Sequence, residues 1–235
     1  MNSTNNKFLI ALIIFLILLV AGGVYILFFY HKKTTPNTPS SISTTQSQNT
    51  TTTGSTSTTI QPAPTLVYPI DRFLERITTN DFGTYYPSGG SSNPDTKVCP
   101  SATYYVGYHT ANDLETFPEE ENSAVPAYAI ADGVVRQIGP VSGYGGLIVI
   151  ESTINNQIYT IYYGHLDLST SALKTQDKVT VGQKIAELGK QCSQSNGDVR
   201  KHLHFAIHKG TTIDVRGYAP SETALSDWLD PKTLF

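Results

Sequence analysis

Five residues combine types and spacings that could support metal-assisted chemistry: His109 and Asp113 in "GYHTANDLE", His165 in "YYGHLD", and His202 and His204 in "KHLHFAI". Two imidazoles and a carboxylate with an open fourth position are a usual catalytic set for zinc. Two further histidines nearby could act as acid or base on a metal-activated water, or on charge developing in a substrate. Taken singly, neither H-x-x-x-D nor H-x-H separates a metal site from solvated side chains. His165 alone would be an ordinary strand-end histidine, and His31 and His208 are read as ordinary. The case rests on the combination, and the spacings leave open whether the three segments meet.

These side chains need elements to position them. In a strand successive side chains alternate between faces, so in "KHLHFAI" Leu203, Phe205 and Ile207 share one face, and His202 and His204 the other. An offset of four keeps His109 and Asp113 on one face in a helix or a strand. Short β-rich runs dominate the second half of the chain: "AVPAYAIADGVVRQIG", "GGLIVIEST", "QIYTIYYGHL", "KVTVGQKIAELG" and "KHLHFAIHKG". Asp132-Gly133 and Asn155-Asn156 have the chemistry of tight hairpin turns, since glycine and asparagine enter the positive-φ region. The sequence therefore predicts a mainly β domain with antiparallel neighbours. Helical periodicity is weak, with one short candidate at residues 221–229, where Ser221 could start a turn.

Composition divides the rest of the 235 residues. A tail of residues 1–7 precedes residues 8–30, which contain no charge. At helical rise they would span about 34 Å, enough for a bilayer core. A membrane-spanning helix is expected; a cleaved signal peptide would have a shorter apolar run and a small-residue cleavage site. Lys7 on one side nearly balances Lys32 and Lys33 on the other, so charge alone does not orient the helix. Residues 31–65 are rich in Thr, Ser, Gln, Asn and Pro and nearly devoid of large apolar side chains, the composition of a disordered linker. Such a tether would reach about 30–35 Å on average. The folded domain is expected over residues 66–235. A net charge of −3 with no basic block beyond the helix flank argues against nucleic acid as a partner.

The motifs "GYHTANDLE", "VPAYAIADGVVRQIG", "GYGGLIVIE", "YYGHL", "VTVGQKIAELG" and "HLHFAI" resemble, in sequence and order, the lysostaphin-like or LytM-like zinc endopeptidases that cut bacterial cell-wall peptides. The resemblance covers about residues 76–210. It implies a compact antiparallel β domain of the β-sandwich or barrel-sandwich hybrid kind. It also implies one Zn2+ per domain, held by His109, Asp113 and His204, with His165 and His202 as the catalytic pair. Cell-wall peptide (peptidoglycan) would be the substrate, and the peptidase domain would then lie outside the cytoplasm on a single-pass membrane anchor.

Two departures from the family's pattern stand out. Ala111 replaces a usual glycine, and "GDVRKHLHF" replaces the commoner small-residue and Gly-Pro approach to H-x-H. The second puts Arg200 and Lys201 beside the expected cleft, either as substrate-carboxylate binders or as two solvated bases. Family members also use a tyrosine near the first ligand to stabilise the tetrahedral intermediate, and Tyr104 or Tyr105 is in that neighbourhood; strand tyrosines also simply pack. Cys99 lies ten residues before His109 and Cys192 ten before His202. If those histidines flank one site, a disulfide between the two loops is expected outside the cytosol, the alternative being two free thiols.

Three functions compete. A membrane-anchored zinc endopeptidase uses every feature. A catalytically silent relative that binds wall material and activates another hydrolase would typically have lost metal ligands, and all five positions are filled here. A stalked adhesion domain accounts for the anchor and tether but not for the five site residues.

Overall fold

Alternating apolar residues become strands because an extended chain sends every second side chain to the same side, where a second layer can cover it. The computed structural model describes residues 66–76, 78–88 and 94–235, all within one unit of the chain, Thr58–Phe235. Its strands are β1 (Tyr85–Tyr86), β2 (Gly107–His109), β3 (Ala111–Glu115), β4 (Pro126–Tyr128), β5 (Gly133–Val141), β6 (Gly145–Ile154), β7 (Gln157–Gly164), β8 (Leu166–Asp167), β9 (Lys178–Val179), β10 (Lys184–Leu188), β11 (His202–Lys209), β12 (Tyr218–Ala219) and β13 (Trp228–Leu229). Two short helices, α1 (Pro94–Val98) and α2 (Glu222–Leu225), accompany them. The domain is mainly β, and its strand pairings are antiparallel.

Among the described residues the strands form three sheets. The largest runs β13-β11-β7-β6-β5-β9, with β3 also paired to β11. Strands β3 and β13 share one edge of β11 end to end, β3 opposite His202 to Ala206 and β13 opposite Ile207 and His208. The two smaller sheets run β4-β10-β8 and β1-β2-β12. One face of the large sheet packs Ile150, Ile161, Tyr163, Leu203, Phe205 and Ile207 into a core shared with Ala127, Ile185 and Leu188 of the β4-β10-β8 sheet. The other face carries Leu147, Val149, Tyr162 and Ala206, clustered with Ala111, Tyr144 and Trp228. The histidines of β11 lie on this second face.

The Asn155-Asn156 hairpin forms as its chemistry predicts. Both residues take positive φ, 50° and 63°, and join β6 to β7 with Ile154 opposite Gln157. Asp132-Gly133 corrects the second hairpin expectation. β4 pairs with β10, whereas β5 pairs with β6 and β9, so the chain changes sheets there. Asp132 instead accepts a 2.7 Å hydrogen bond from Val181 N. Gly133 serves close approach rather than a turn, since a Cβ there would lie 2.5 Å from Glu151 O. The expected helix over residues 221–229 shrinks to α2, with Ser221 Oγ accepting from Ala224 N at 3.1 Å. Trp228 and Leu229 are pulled into the large sheet as β13.

The tail, membrane span and linker expected over residues 1–7, 8–30 and 31–65 lie outside the described residues. Among the described residues no helix is long and apolar enough to cross a membrane.

Cys99 and Cys192 are joined by a disulfide that closes a sequence separation of 93 residues. Chain-entropy reasoning assigns a loop of that size about 4–5 kcal/mol of stabilisation. The Cys99→Ser/Cys192→Ser chain is therefore expected to unfold about 4 kcal/mol more easily in a urea titration, and a midpoint equal to wild type would contradict this.

Candidate metal centre and active site

His204 and Asp113 meet because β11 and β3 pair with these two residues opposite one another. His109 arrives from another sheet. The chain leaves β2 at His109 and enters β3 at Ala111, and Thr110 between them is held by its N–H and Oγ1, both donating to Gly217 O at 3.0 Å. The strand alternation that places residues 109 and 113 on one side thus survives the change of sheet.

The three side chains are buried, and their donor atoms converge. His109 Nε2 lies 3.4 Å from Asp113 Oδ1, His204 Nδ1 lies 3.1 Å from the same oxygen, and the two nitrogens are 3.3 Å apart. A tetrahedral zinc with bonds of about 2.0–2.1 Å has ligand–ligand edges of about 3.3–3.4 Å. The triangle matches one face of that tetrahedron, and two nitrogens and an oxygen are a donor set zinc accepts. His204 Nε2 lies 3.4 Å from the Tyr144 hydroxyl, while His109 Nδ1 has no partner among the described residues.

His165 and His202 stand beside this group with ring centroids 4.4 Å apart. His165 Nδ1 is 3.1 Å from Tyr144 O and 2.8 Å from Asn196 O. Carbonyl oxygens only accept, so Nδ1 carries a proton and Nε2 is the nitrogen left for chemistry. By the same argument His202 Nδ1 donates to Arg200 O at 2.9 Å, and its Nε2 lies 3.4 Å from Asp113 Oδ1. His165 adopts φ 63°, a conformation uncommon outside glycine and found at functional sites. Gly164 before it faces His204 across the β7–β11 pair, and a Cβ there would lie 2.5 Å from Tyr144 Cδ1 and 3.2 Å from His204 Cβ. Glycine at 164 leaves the space that Tyr144 and His204 fill.

Electrostatics divide these groups. Burial opposes a charged Asp113, but the imidazoles of His109 and His202 outweigh it and hold the carboxyl well below its usual range. Burial, with the imidazoles of His202 and His204, pushes His165 well down. Burial likewise pushes His204 down to about 4. For His202, burial and Arg200 push downward, yet the Asp113 carboxylate prevails and its pKa rises. Burial raises the Tyr144 phenol well above its usual range, so it remains protonated.

A pH dependence follows for the metal-stripped chain. Unfolded, His165 and His204 take up protons near pH 6.5. Folded, they resist protonation, His204 until about pH 4. The unfolded state binds more protons in that window, so stability present above pH 6.5 is lost as pH falls toward 4, on the order of 3 kcal/mol for His204 alone. His202, with its raised pKa, is protonated in both states there and does not oppose the trend. Melting temperature measured from pH 6 to pH 4 should fall steadily; a flat profile down to pH 4.5 would contradict the assignment.

The histidines line the floor of a cleft whose walls include Tyr105, Val106, Val215, Gly217 and Tyr218. Of the two tyrosines considered from sequence, Tyr105 lines this cleft, stacked on Tyr218 with centroids 5.7 Å apart. Tyr104 turns away and donates to Pro87 O at 2.5 Å. Sequence reasoning missed Tyr144 and Tyr218, the second lying 5.1 Å from His109 between ring centroids. "GYGG" was the available signal for Tyr144, because its last two glycines pack where a Cβ would strike backbone: at Gly145, Ser195 O would be 2.3 Å away. Nothing distinguished Tyr218.

Neither alternative for Arg200 and Lys201, substrate-carboxylate binders or two solvated bases, matches the structure. Both are buried. Lys201 Nζ donates to the carbonyls of Glu120, Glu121 and Ser123 at 2.7, 3.2 and 2.6 Å. Arg200 is bound to Asp95, Asp113 and Glu115. Carbonyl and carboxylate oxygens gathered around the start of β11 hold both side chains, and neither lines the cleft.

Residues 108–215 match the model of peptidase family M23, and the match contains all five histidine and aspartate positions. The match to the family M23 model covers just under half of the chain, 108 of its 235 residues. A search of curated proteins finds no match. Solved structures similar to the chain include a zinc-containing peptidase from Vibrio cholerae, 28% identical with TM-score 0.41, the likeness covering 60% of this chain and 35% of that one. LytU is 24% identical with TM-score 0.44, over 67% of this chain and 83% of that one. Lysostaphin from Staphylococcus simulans is 21% identical with TM-score 0.38, over 66% and 48%. This chain thus spans about a third of the length of the Vibrio cholerae structure (35%) and about half of lysostaphin (48%). Within the matched stretch, His109, Asp113 and His204 form the group that could hold a metal ion.

Proposed function

We propose that this chain is a membrane-anchored zinc endopeptidase that hydrolyses peptide bonds in cell-wall peptidoglycan, with its M23 domain outside the cytoplasm. The observation that carries the reading is the donor triangle of His109, Asp113 and His204, with edges of 3.1–3.4 Å, beside two histidines whose Nδ1 protons are already committed to carbonyls. A bound zinc would supply a Lewis acid to polarise the scissile carbonyl and acidify a water.

The chain's own residues would then do the following. His165, fixed through Nδ1, offers Nε2 as the base that takes a proton from the attacking water. His202 holds a proton on Nε2 beside Asp113 and presents it to the developing oxyanion or the leaving amine. Tyr105, on the cleft wall, would donate its hydroxyl to the same oxyanion. Val106 and Val215 give the cleft apolar walls against which the peptide would pack. Residues 8–30 would fix the protein to the membrane, and the linker of residues 31–65 would let the domain reach wall peptides within its span.

Incubating the purified full-length chain with sacculi and identifying released peptides by mass tests this function. New peptide ends that depend on added zinc and vanish with a chelator support it. Binding to sacculi without release would instead favour a silent wall-binding module.

A further inference from the structure

Arg200 is the best-tied side chain near the site, and the sequence motif does not account for it. Its side chain is 6% exposed. Nη2 donates to Asp113 Oδ2 at 2.9 Å, Nη1 to Asp95 Oδ1 at 2.5 Å, and Nε to Glu115 Oε1 at 2.9 Å. The guanidinium is planar and permanently charged, so three carboxylates arriving from three directions leave it no freedom to rotate. Asp95 is itself placed by the disulfide: it lies on α1, its carbonyl accepts from Cys99 N at 2.7 Å, and Cys99 is bonded to Cys192. On the other side, Cys192 N donates to Val199 O at 2.9 Å, next to Arg200.

The two oxygens of Asp113 are therefore divided. Oδ1 faces His109 Nε2 and His204 Nδ1, and Oδ2 is taken by Arg200. A carboxylate can ligate a cation through one oxygen or both, and its outer hydrogen bonds decide which. We propose that Arg200 is a positioning residue that holds Asp113 as a one-oxygen ligand and so keeps a coordination position open for water or substrate. The inference rests on the metal-site reading of His109, Asp113 and His204.

Removing Arg200 alone would take the shared cation from three carboxylates and risk unfolding, so the test uses a triple variant of the full chain that also neutralises two of them, Arg200→Gln/Asp95→Asn/Glu115→Gln; its net charge change equals that of Glu115→Gln alone. Zinc affinity is measured by competition with a chromophoric chelator, and coordination by the visible absorption of the cobalt(II)-loaded chain. The variant should bind zinc about 10–100-fold more weakly, as loss of an outer partner typically does. Its cobalt bands should also weaken per bound metal, because a two-oxygen Asp113 raises the coordination number. Glu115→Gln alone, which leaves Nη2 on Asp113, should keep the wild-type spectrum. Wild-type affinity and spectrum in the triple variant would overturn the proposal, as would an equal change in Glu115→Gln. A wild-type chain that binds metal but releases no wall peptide refutes the peptidase reading and leaves this one standing, and a wild-type chain that binds no metal refutes both.

Discussion

His204→Ala is expected to lose zinc and peptide release together. His204 contributes one corner of the donor triangle, 3.1 Å from Asp113 Oδ1 and 3.3 Å from His109 Nε2, and a methyl group offers nothing in its place. Two remaining protein ligands are fewer than a catalytic zinc site keeps. Affinity should fall by at least about 10²-fold, beyond the 10–100-fold of losing an outer partner. His109→Ala and Asp113→Ala should behave alike. Asp113→Ala carries a further cost, because it leaves Arg200 one anion short in a buried position. Equilibrium dialysis against zinc at fixed pH reads the loss directly.

His202→Ala should give the opposite pairing: zinc retained, turnover lost. Its Nε2 lies beside Asp113 Oδ1, but it stands outside the triangle and its Nδ1 is committed to Arg200 O. General acid–base catalysis is worth about 10²–10⁴-fold in rate, and that is the expected fall. His165→Ala should fall by a similar factor, and by more if the backbone at φ 63° relaxes with it. Measuring peptide release under saturating zinc separates these losses from weakened metal binding. A His202→Ala chain as active as wild type would show that the H-x-H pair has been divided wrongly between metal and proton transfer.

The parts of this molecule legible in the sequence are those decided locally. Alternation within "KHLHFAI" required His202 and His204 to share a face, and β11 is built that way because Leu203, Phe205 and Ile207 have a core to enter. Asn155-Asn156 specified its turn because both residues tolerate the positive φ that the turn needs. Asp132-Gly133 looked equivalent and is not. Turn chemistry says where a chain can bend, whereas the sheet that the next strand joins is settled by which surfaces it can bury. Arg200 and Lys201 were misread for a related reason. Charge suggests exposure, and their partners come from residues 78 to 105 positions away, which no local pattern displays. Tyr144 and Tyr218 were hidden among 14 tyrosines. Only the approach of separate loops shows which of those rings meet the histidines.

The most direct test of the account is zinc content by atomic absorption, read beside peptide release, for the wild-type chain and its His204→Ala and His202→Ala variants purified identically. The account predicts one zinc and full release in wild type, neither in His204→Ala, and one zinc with release reduced about 10²–10⁴-fold in His202→Ala. A His204→Ala chain that keeps its zinc, or a His202→Ala chain that loses it, would contradict the assignment of His109, Asp113 and His204 as the metal centre.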